Sequence, residues 1–265
     1  MPFKKTPGRA AFKPVGRAFM YSLTAVAPGY GIRDLSQGKH IINDGISKQC
    51  KRLVGSKHCC IKCGKCMSAP TLYTADAGQA YEMIRPHRIE RAFRLIFKSI
   101  QIKCGREDPT ISCMHTPKCR ARFGGWIRDR LNDRSVFYLS KVSHCMRSLV
   151  KLRWFKFGDR YLFQRSGIPI GGPVSGAVLD AVLSIDEHLF DKFGWAAFSK
   201  DLGLKGHREL WLSIVRYVDD IFIATRWFCP DCVPHIVSLI YSEIVNFDAA
   251  NEGRIDLTGF RVVKF

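Results

Sequence analysis

The chain has 265 residues, of which 46% are apolar and 25% are charged, so it can bury a core as one large or two small domains and is not a disordered chain. Lysine and arginine (42 residues) outnumber aspartate and glutamate (23 residues), and the net charge of +19 predicts an acidic polymer such as nucleic acid as partner, with an anionic membrane surface as the weaker alternative. Because no apolar run is long enough to span a bilayer, we expect a soluble intracellular protein, nuclear or cytoplasmic and not secreted.

The first 57 residues predict loops and short elements, because glycine and proline interrupt them repeatedly. A basic start followed by the apolar stretch 18–27 superficially resembles a signal peptide. Two hydroxyl side chains interrupt that stretch, however, and Pro28 would follow the cleavage point. The segment before Asp34 has no acidic residue, which also suits a nucleic-acid-binding arm or an organelle transit segment.

Eleven cysteines, an odd number with several in close clusters, indicate a reducing compartment rather than a disulfide framework. Cys60, Cys63 and Cys66 follow one another at two-residue gaps, and a Cys-x-x-Cys turn lets two thiolates bind one tetrahedral ion. A zinc site needs a second pair, for which the chain offers Cys229 with Cys232, or the group Cys104, Cys113, His115 and Cys119. The first choice gives the candidate zinc ligands Cys60, Cys63, Cys66, Cys229 and Cys232, and unligated thiols are the alternative.

Residues 72–82 predict a strand that delivers Asp76 at its end and then turns toward a helix. That helix has an apolar face with α-helical spacing, formed by Ile89, Phe93, Ile96, Phe97 and Ile100. Basic residues occupy the rest of its surface: Arg85, Arg88, Arg91, Arg94 and Lys98. This basic surface is either simply solvated or lies beside a phosphate backbone, and the sequence favours neither.

The middle of the chain alternates irregular and periodic stretches. Residues 102–135 are rich in cysteine and arginine and predict an irregular insertion. The elements expected after it are a helix at 136–153, a hairpin at 154–163, a helix at 178–190, a helix at 233–244 and a closing strand pair at 253–265. The glycine-rich loop 166–176, which follows the hairpin, allows a ligand to approach the backbone closely.

Residues 214–223 place two adjacent carboxylates, Asp219 and Asp220, between two runs of apolar, β-branched and aromatic residues. The pattern predicts a β-hairpin with the acids at its turn. Concentrated negative charge against a packed core calls for a cation. An ordinary Asp-Asp turn is the alternative for this hairpin taken alone.

Three short motifs follow one another along the chain: Asp76-Ala-Gly-Gln-Ala-Tyr81, Gly167-Ile-Pro-Ile-Gly-Gly-Pro-Val-Ser175 and Tyr217-Val-Asp-Asp220. They resemble, in this order, the first metal-binding motif, the Gly-x-Pro-Gln-Gly-x-x-Ser motif and the Tyr-x-Asp-Asp motif of reverse transcriptases. The resemblance covers about residues 70–265 and suggests a retroelement type. It implies an α+β fold, a polymerase palm made of an antiparallel sheet with packed helices, plus partial fingers and no thumb.

The resemblance also implies domains and a function. Residues 1–69 would be a basic, cysteine-rich segment with partial fingers, and 70–265 a palm with an insertion at about 102–135. The reaction would be RNA-directed DNA synthesis, the metal-assisted transfer of dNTPs to a primer 3′-hydroxyl on an RNA or DNA template. The catalytic residues, and the ligands of two Mg²⁺ or Mn²⁺ ions, would be Asp76, Asp219 and Asp220. The substrate-binding residues would be Tyr81, Gly167, Pro169, Gly171, Gly172, Ser175 and Tyr217.

Single residues refine this expectation. Tyr81 would lie beneath the incoming sugar, where its ring excludes a 2′-hydroxyl and favours deoxynucleotides. Ile170 stands where the family usually has glutamine, which removes a hydrogen-bonding side chain near the template. Phe265 falls about where the thumb should begin, so a fragment or a decayed copy of a retroelement polymerase is the alternative to an active enzyme. Candidate triphosphate-binding residues of the fingers are Lys48, Lys51, Arg52, Lys62 and Lys65.

Two other functions fit parts of the pattern. A noncatalytic nucleic-acid-binding protein would keep the palm as a scaffold and bind through its basic surface and cysteine motifs. A carboxylate-dependent metal nuclease would use the acids but leave the glycine-rich loop and Tyr81 without a role. The sequence predicts no particular oligomeric state.

Overall fold

The computed structural model of the chain describes residues 7–32, 34–51, 58–77, 80–114, 122–124, 134–152, 154–157, 159–164, 167–168, 174–241 and 247–249. The helices are α1 (Pro7–Val26), α2 (Leu35–Cys50), α3 (Ala80–Met83), α4 (Pro86–Cys104), α5 (Leu139–Lys151), α6 (Ser175–Leu189), α7 (Trp195–Asp201) and α8 (Val233–Ile240), with a π-helical segment (Phe190–Gly194) between α6 and α7. The strands are β1 (His58–Cys59), β2 (Cys66–Met67), β3 (Thr71–Ala77), β4 (Thr110–Met114), β5 (Arg122–Phe123), β6 (Arg134–Tyr138), β7 (Trp154–Phe157), β8 (Arg160–Phe163), β9 (Ser213–Tyr217), β10 (Asp220–Thr225) and β11 (Phe247–Ala249).

Helices and antiparallel sheets are both present, which confirms the predicted α+β class. The strands pair as β1-β2, β11-β3-β10-β9, β5-β4-β6 and β7-β8. In the described part of the chain, none of the helices combines the length and the apolar character that crossing a bilayer requires.

The chain forms two compact units, each built from two separate stretches of sequence. Unit 1 comprises Met1–Gly29 and Ala80–Ile185, and unit 2 comprises Tyr30–Gln79 and Asp186–Phe265. The sequence suggested a single division between residues 69 and 70. In unit 2, β3 and β10 pair with each other although the second stretch of unit 1 lies between them in sequence.

Helices α1, α4 and α5 form the core of unit 1. The apolar face predicted for α4 is confirmed, since all five of its residues are buried. Phe19 of α1 lies edge-on to Phe93 of α4, with ring centroids 5.2 Å apart. The prediction of loops over residues 1–57 was wrong here: α1 forms despite Pro14, because it buries a helical stripe made of Val15, Ala18, Phe19 and Leu23.

The stretch 102–135 was predicted to be irregular, which was also wrong for residues 110–114, 122–123 and 134–135. It supplies most of the sheet β5-β4-β6, in which Ile111 of β4 pairs with Phe123 on one side and Phe137 on the other. The strand pattern was weak because β4 contains the polar residues Thr110 and Ser112 and β5 has only two residues. Helix α5 begins at Leu139 rather than at residue 136, which belongs to β6.

The other predicted elements agree with the structure where it describes them. The hairpin at 154–163 is confirmed as β7 and β8, and the later helices as α6 and α8. The predicted strand pair at 253–265 lies outside the described residues.

Unit 2 is organised around the sheet β11-β3-β10-β9, on which α2 packs against β9 and β10. Asp34 caps α2 by accepting a hydrogen bond from the backbone N–H of Gln37 (2.8 Å). Glycine brings the helix close to the sheet, since a Cβ atom on Gly45 would lie 1.6 Å from Ser213 Oγ. This helix was missed because glycine occupies positions where an apolar side chain would have indicated it.

Candidate active site

The structure brings the three predicted catalytic aspartates to one end of the central sheet of unit 2. Asp76 of β3 and Asp220 of β10 are direct partners in the antiparallel pairing of these strands. Asp219 lies in the two-residue loop between β9 and β10, and its carbonyl oxygen accepts a hydrogen bond from the backbone N–H of Ala77 (3.1 Å). Residues that are directly opposite in an antiparallel pair share a face of the sheet, so Asp76 and Asp220 project to the same side.

The loop that carries Asp219 has an unusual backbone. Val218 has a φ of +60°, in the left-handed region that a β-branched residue rarely adopts. A two-residue hairpin loop requires positive φ at its first position, and glycine or asparagine usually supplies it. The Arg216 guanidinium supports the loop, because Nη1 donates to the carbonyl oxygen of Val218 (2.7 Å). The turn is therefore locally strained next to the carboxylates, and the buried guanidinium of Arg216 stabilises it.

The carboxylates repel one another. Partial burial raises the pKa of Asp220 above its ordinary value, and the negative charges of Asp219 and Asp76 raise it further. A bound cation would remove this repulsion. Carboxylate oxygens from two adjacent strands are the hard ligands that Mg²⁺ and Mn²⁺ prefer, so the residues present fit the ions that the resemblance implies.

A buried polar cluster lies beneath the turn. Glu187 and Arg216, whose side chains are 0% and 1% exposed, form an ion pair through Oε1 and Nε. Arg216 Nη2 also donates to Glu187 Oε2 (3.4 Å). Tyr241 Oη donates to Glu187 Oε1 (2.7 Å), and the backbone N–H of Tyr30 donates to Oε2 (2.6 Å). Burial and the adjacent Glu187 charge hold the pKa of Tyr241 well above its ordinary value, so its hydroxyl is a donor at neutral pH.

Two further residues share the row of paired positions that contains Asp76. Tyr217 is the partner of Asp220 on β9 and is 43% exposed, which leaves this predicted substrate-binding residue accessible. Asp248 on β11 is the partner of Asp76 on its other side. Asp248 was missed in the sequence because a single acid after Phe247 is too weak a pattern to indicate a strand.

In unit 1 the structure joins two motifs that are far apart in sequence. The backbone N–H of Ile168 donates to the carbonyl oxygen of Tyr81 (2.5 Å). Gly167 has a φ of +73°, and a Cβ atom there would lie 2.2 Å from that same oxygen. Ser175 is buried at the start of α6, and a Cβ on Gly176 would lie 3.9 Å from Tyr81 Oη. The other loop residues predicted to bind substrate lie outside the described residues: Pro169, Gly171 and Gly172.

The two Cys-x-x-Cys turns also meet, within unit 2. The Sγ atoms of Cys60, Cys63, Cys229 and Cys232 all lie within 4.8 Å of one another. Cys66, the fifth candidate ligand, lies elsewhere, with its Sγ 3.4 Å from Cys59 Sγ. In the alternative second group, His115 and Cys119 lie outside the described residues.

The electrostatics of the four thiols differ. Burial raises the pKa of Cys232. Burial acts in the same direction on Cys60, but backbone N–H donors from Cys229, Cys63 and Lys62 outweigh it and lower the pKa of Cys60 to about 6. The backbone donors thus favour the thiolate form of Cys60.

Solved structures with the same fold include telomerases from two yeasts. The chain is similar to the telomerase of Candida albicans in complex with a TWJ fragment of telomeric RNA, with a TM-score of 0.58 and 14% identity over 91% of this chain and 36% of the other. It is also similar to the apo telomerase of Candida tropicalis, with a TM-score of 0.57 and 14% identity over 92% and 37%. No protein-family model and no curated protein sequence matches the chain.

The similarity extends over almost the whole of this chain, which spans about a third of the length of the solved telomerases. Identity at this level carries information about the fold only. The chain therefore shares its α+β fold with the part of these telomerase structures that it covers.

Proposed function

We propose that the chain is an RNA-directed DNA polymerase domain that transfers deoxynucleotides to the 3′-hydroxyl of a primer. The observation that carries this proposal is the pairing of β3 with β10, which places Asp76 opposite Asp220 with Asp219 in the adjacent turn. Three acids at one sheet end, each within a matching motif, have no structural need to be there, since like charges destabilise a sheet when no cation is bound. The retroelement type is part of the proposal and rests on the motifs alone.

The residues of each unit have their own proposed roles in this reaction. Asp76, Asp219 and Asp220 would hold two Mg²⁺ ions, which when bound make the primer hydroxyl nucleophilic and neutralise the leaving pyrophosphate. Arg216 positions Asp219 by holding the turn at Val218. In unit 1, Tyr81 would exclude the 2′-hydroxyl of a ribonucleotide. The backbone of Gly167 and Ile168 supports Tyr81 through the hydrogen bond to its carbonyl oxygen.

Primer extension on an RNA template with dNTPs and Mg²⁺ tests the proposal directly. Asp219→Asn should reduce extension more than about 100-fold, because it removes a charged metal ligand but keeps the shape of the side chain. Asp201→Asn is the matched control, since Asp201 is an exposed acid at the end of α7 and should leave extension unchanged. Extension that is equal in wild type and Asp219→Asn would remove the three acids from the reaction.

A noncatalytic nucleic-acid-binding protein is the second candidate, and the net charge of +19 favours it. This function predicts tight primer-template binding that weakens steeply with salt, without Mg²⁺-dependent extension by any variant. Cleavage of a labelled strand in the absence of dNTPs would instead indicate a nuclease. One set of reactions, with and without dNTPs, therefore separates the three functions.

A further inference from the structure

The four thiols of Cys60, Cys63, Cys229 and Cys232 have the arrangement of a mononuclear metal site. Four sulfurs around one tetrahedral zinc at about 2.3 Å are separated by about 3.8 Å. Here the Sγ atoms of Cys63 and Cys229 are 3.6 Å apart, and all four lie within 4.8 Å of one another. Among the described residues, these four cysteines are the group of potential metal ligands whose ligand atoms all lie this close together.

The backbone around the thiols is shaped as in thiolate sites. The backbone N–H of Gly64 donates to the carbonyl oxygen of Cys60 (2.8 Å), and Gly64 itself has a φ of +75°, so the chain turns back immediately after Cys63. The N–H of Cys229 donates to Cys60 Sγ at 3.3 Å, a bond that stabilises a thiolate. Three of the four cysteines are buried, and Cys63 is exposed.

The two turns come from positions 166 residues apart and are held together by more than the sulfurs. Lys65, two residues after Cys63, and Asp231, directly before Cys232, form an exposed ion pair with Nζ and Oδ2 2.7 Å apart. The backbone N–H of Ile61 donates to the carbonyl oxygen of Trp227 (2.9 Å). The pocket for an ion is therefore preformed by hydrogen bonds that do not involve the ion.

We propose that Cys60, Cys63, Cys229 and Cys232 bind one structural Zn²⁺ ion that ties the start of β3 to the end of β10. Four protein thiolates complete a tetrahedral shell and leave no position for substrate, which distinguishes a structural from a catalytic zinc. An iron–sulfur cluster fits less well, because its thiolates bind different irons and lie further apart than thiolates on one ion.

The position of the zinc site relative to β3 and β10 indicates what the ion would stabilise. β3 and β10 are paired from Thr71 and Thr225 at one end to Asp76 and Asp220 at the other. The cysteines lie beyond the Thr71–Thr225 end, so the ion closes the strand pair opposite the acids. A slip of one residue in this pairing would move Asp76 to the other face relative to Asp220. The zinc would thus fix the pairing on which the acidic row depends.

Metal content of the full chain, purified under reducing conditions from zinc-supplemented medium, tests the site without reference to polymerase activity. Wild type should carry one zinc per chain by elemental analysis, and Cys63→Ser and Cys229→Ser should lose most of it. Cys59→Ser and Cys66→Ser are matched controls, because both cysteines are exposed neighbours outside the cluster, and they should keep the zinc.

A measurement on unmodified protein covers the case in which the serine variants fail to fold. Chelation of wild type should release one zinc, make four additional thiols reactive and lower the Tm. The proposal is overturned by wild type without bound metal, by iron with visible absorption, by disulfides among the four cysteines, or by equal zinc in Cys229→Ser and Cys59→Ser. Loss of zinc in Cys66→Ser but not in Cys63→Ser would reassign the ligands and overturn the set proposed here.

Discussion

The buried pair of Arg216 and Glu187 makes the sharpest prediction about stability. Arg216→Met removes the cation and leaves a carboxylate that is 0% exposed without its charged partner. Breaking a buried pair in this way costs about 3–5 kcal/mol. The hydrogen bonds from Tyr241 and Tyr30 to Glu187 persist, so we expect the lower half of this range. At about 2–4 °C per kcal/mol, the Tm should fall by roughly 6–16 °C.

A double-mutant cycle isolates the pair from the rest of the turn. Glu187→Gln removes the charge and keeps one acceptor oxygen, which serves either Tyr241 or the backbone N–H of Tyr30 because these donate to different oxygens of Glu187. Arg216→Met/Glu187→Gln should still be more stable than the sum of the single effects by about 2 kcal/mol. Arg147→Met is the matched control: its ion pair with Glu90 has side chains 37% and 55% exposed and should be worth about 1 kcal/mol or less.

Urea unfolding followed by circular dichroism measures all of these free energies. The reasoning fails if Arg216→Met costs no more than Arg147→Met, or if the two changes at the buried pair are additive.

The loop before Asp219 should also be affected, because both variants at Arg216 lose the hydrogen bond to the carbonyl oxygen of Val218. Extension should therefore fall in the double variant even where most of the stability returns, as measured by kcat at fixed primer-template concentration.

Val218→Gly should raise the free energy of unfolding in urea by about 1 kcal/mol, since it relieves a left-handed β-branched residue. Gly167→Ala should lower the free energy of unfolding by more than about 2 kcal/mol, because the new Cβ atom clashes with the carbonyl oxygen of Tyr81. Gly203 also has a positive φ but has open space around it, so Gly203→Ala should cost only about 1 kcal/mol. Equal costs for the two variants would contradict the clash. Tyr81→Ala should admit ribonucleotides, read as the ratio of dNTP to rNTP incorporation, and an unchanged ratio would remove it from sugar selection. Asp220→Asn should raise the Tm by about 1–4 °C in metal-free buffer at pH 7. Because folding raises the pKa of Asp220 above its ordinary value of 3.8, the charged carboxylate destabilises the fold only as the pH rises above about 3.8. The gain in Tm should therefore vanish below this pH, and a gain that persists in acid would rule out charge repulsion.

The sequence was sufficient for elements whose signal is local. The hairpin of β9 and β10 was predicted because apolar runs flank Asp219 and Asp220, and the strand ending near Asp76 was predicted for the same reason. The pairing between them was not derivable from periodicity, since it joins distant parts of the chain. The family resemblance implied only that Asp76, Asp219 and Asp220 bind the same ions, and the structure adds the direct pairing of Asp76 with Asp220.

Buried polar residues were the main failure of sequence reasoning. Arg216 stands in an apolar run and Glu187 on a helix, where each reads as an ordinary surface charge. Only the tertiary structure shows that they neutralise each other. Gln49 of α2 was missed for a similar reason: its buried amide donates to Ser213 Oγ (3.2 Å) and accepts from the backbone N–H of Arg226 (2.8 Å).

The pairing of β3 with β10 also sets the order in which the chain can fold during synthesis. β3 leaves the ribosome about 140 residues before its partner, and nearly all of the second stretch of unit 1 is made in between. At about 5–20 residues per second, β3 waits roughly 7–30 s with its hydrogen-bonding edges unpaired. Unit 1 has its complete sequence before unit 2 does, so translation speed through residues 80–185 governs how long an aggregation-prone strand stays exposed.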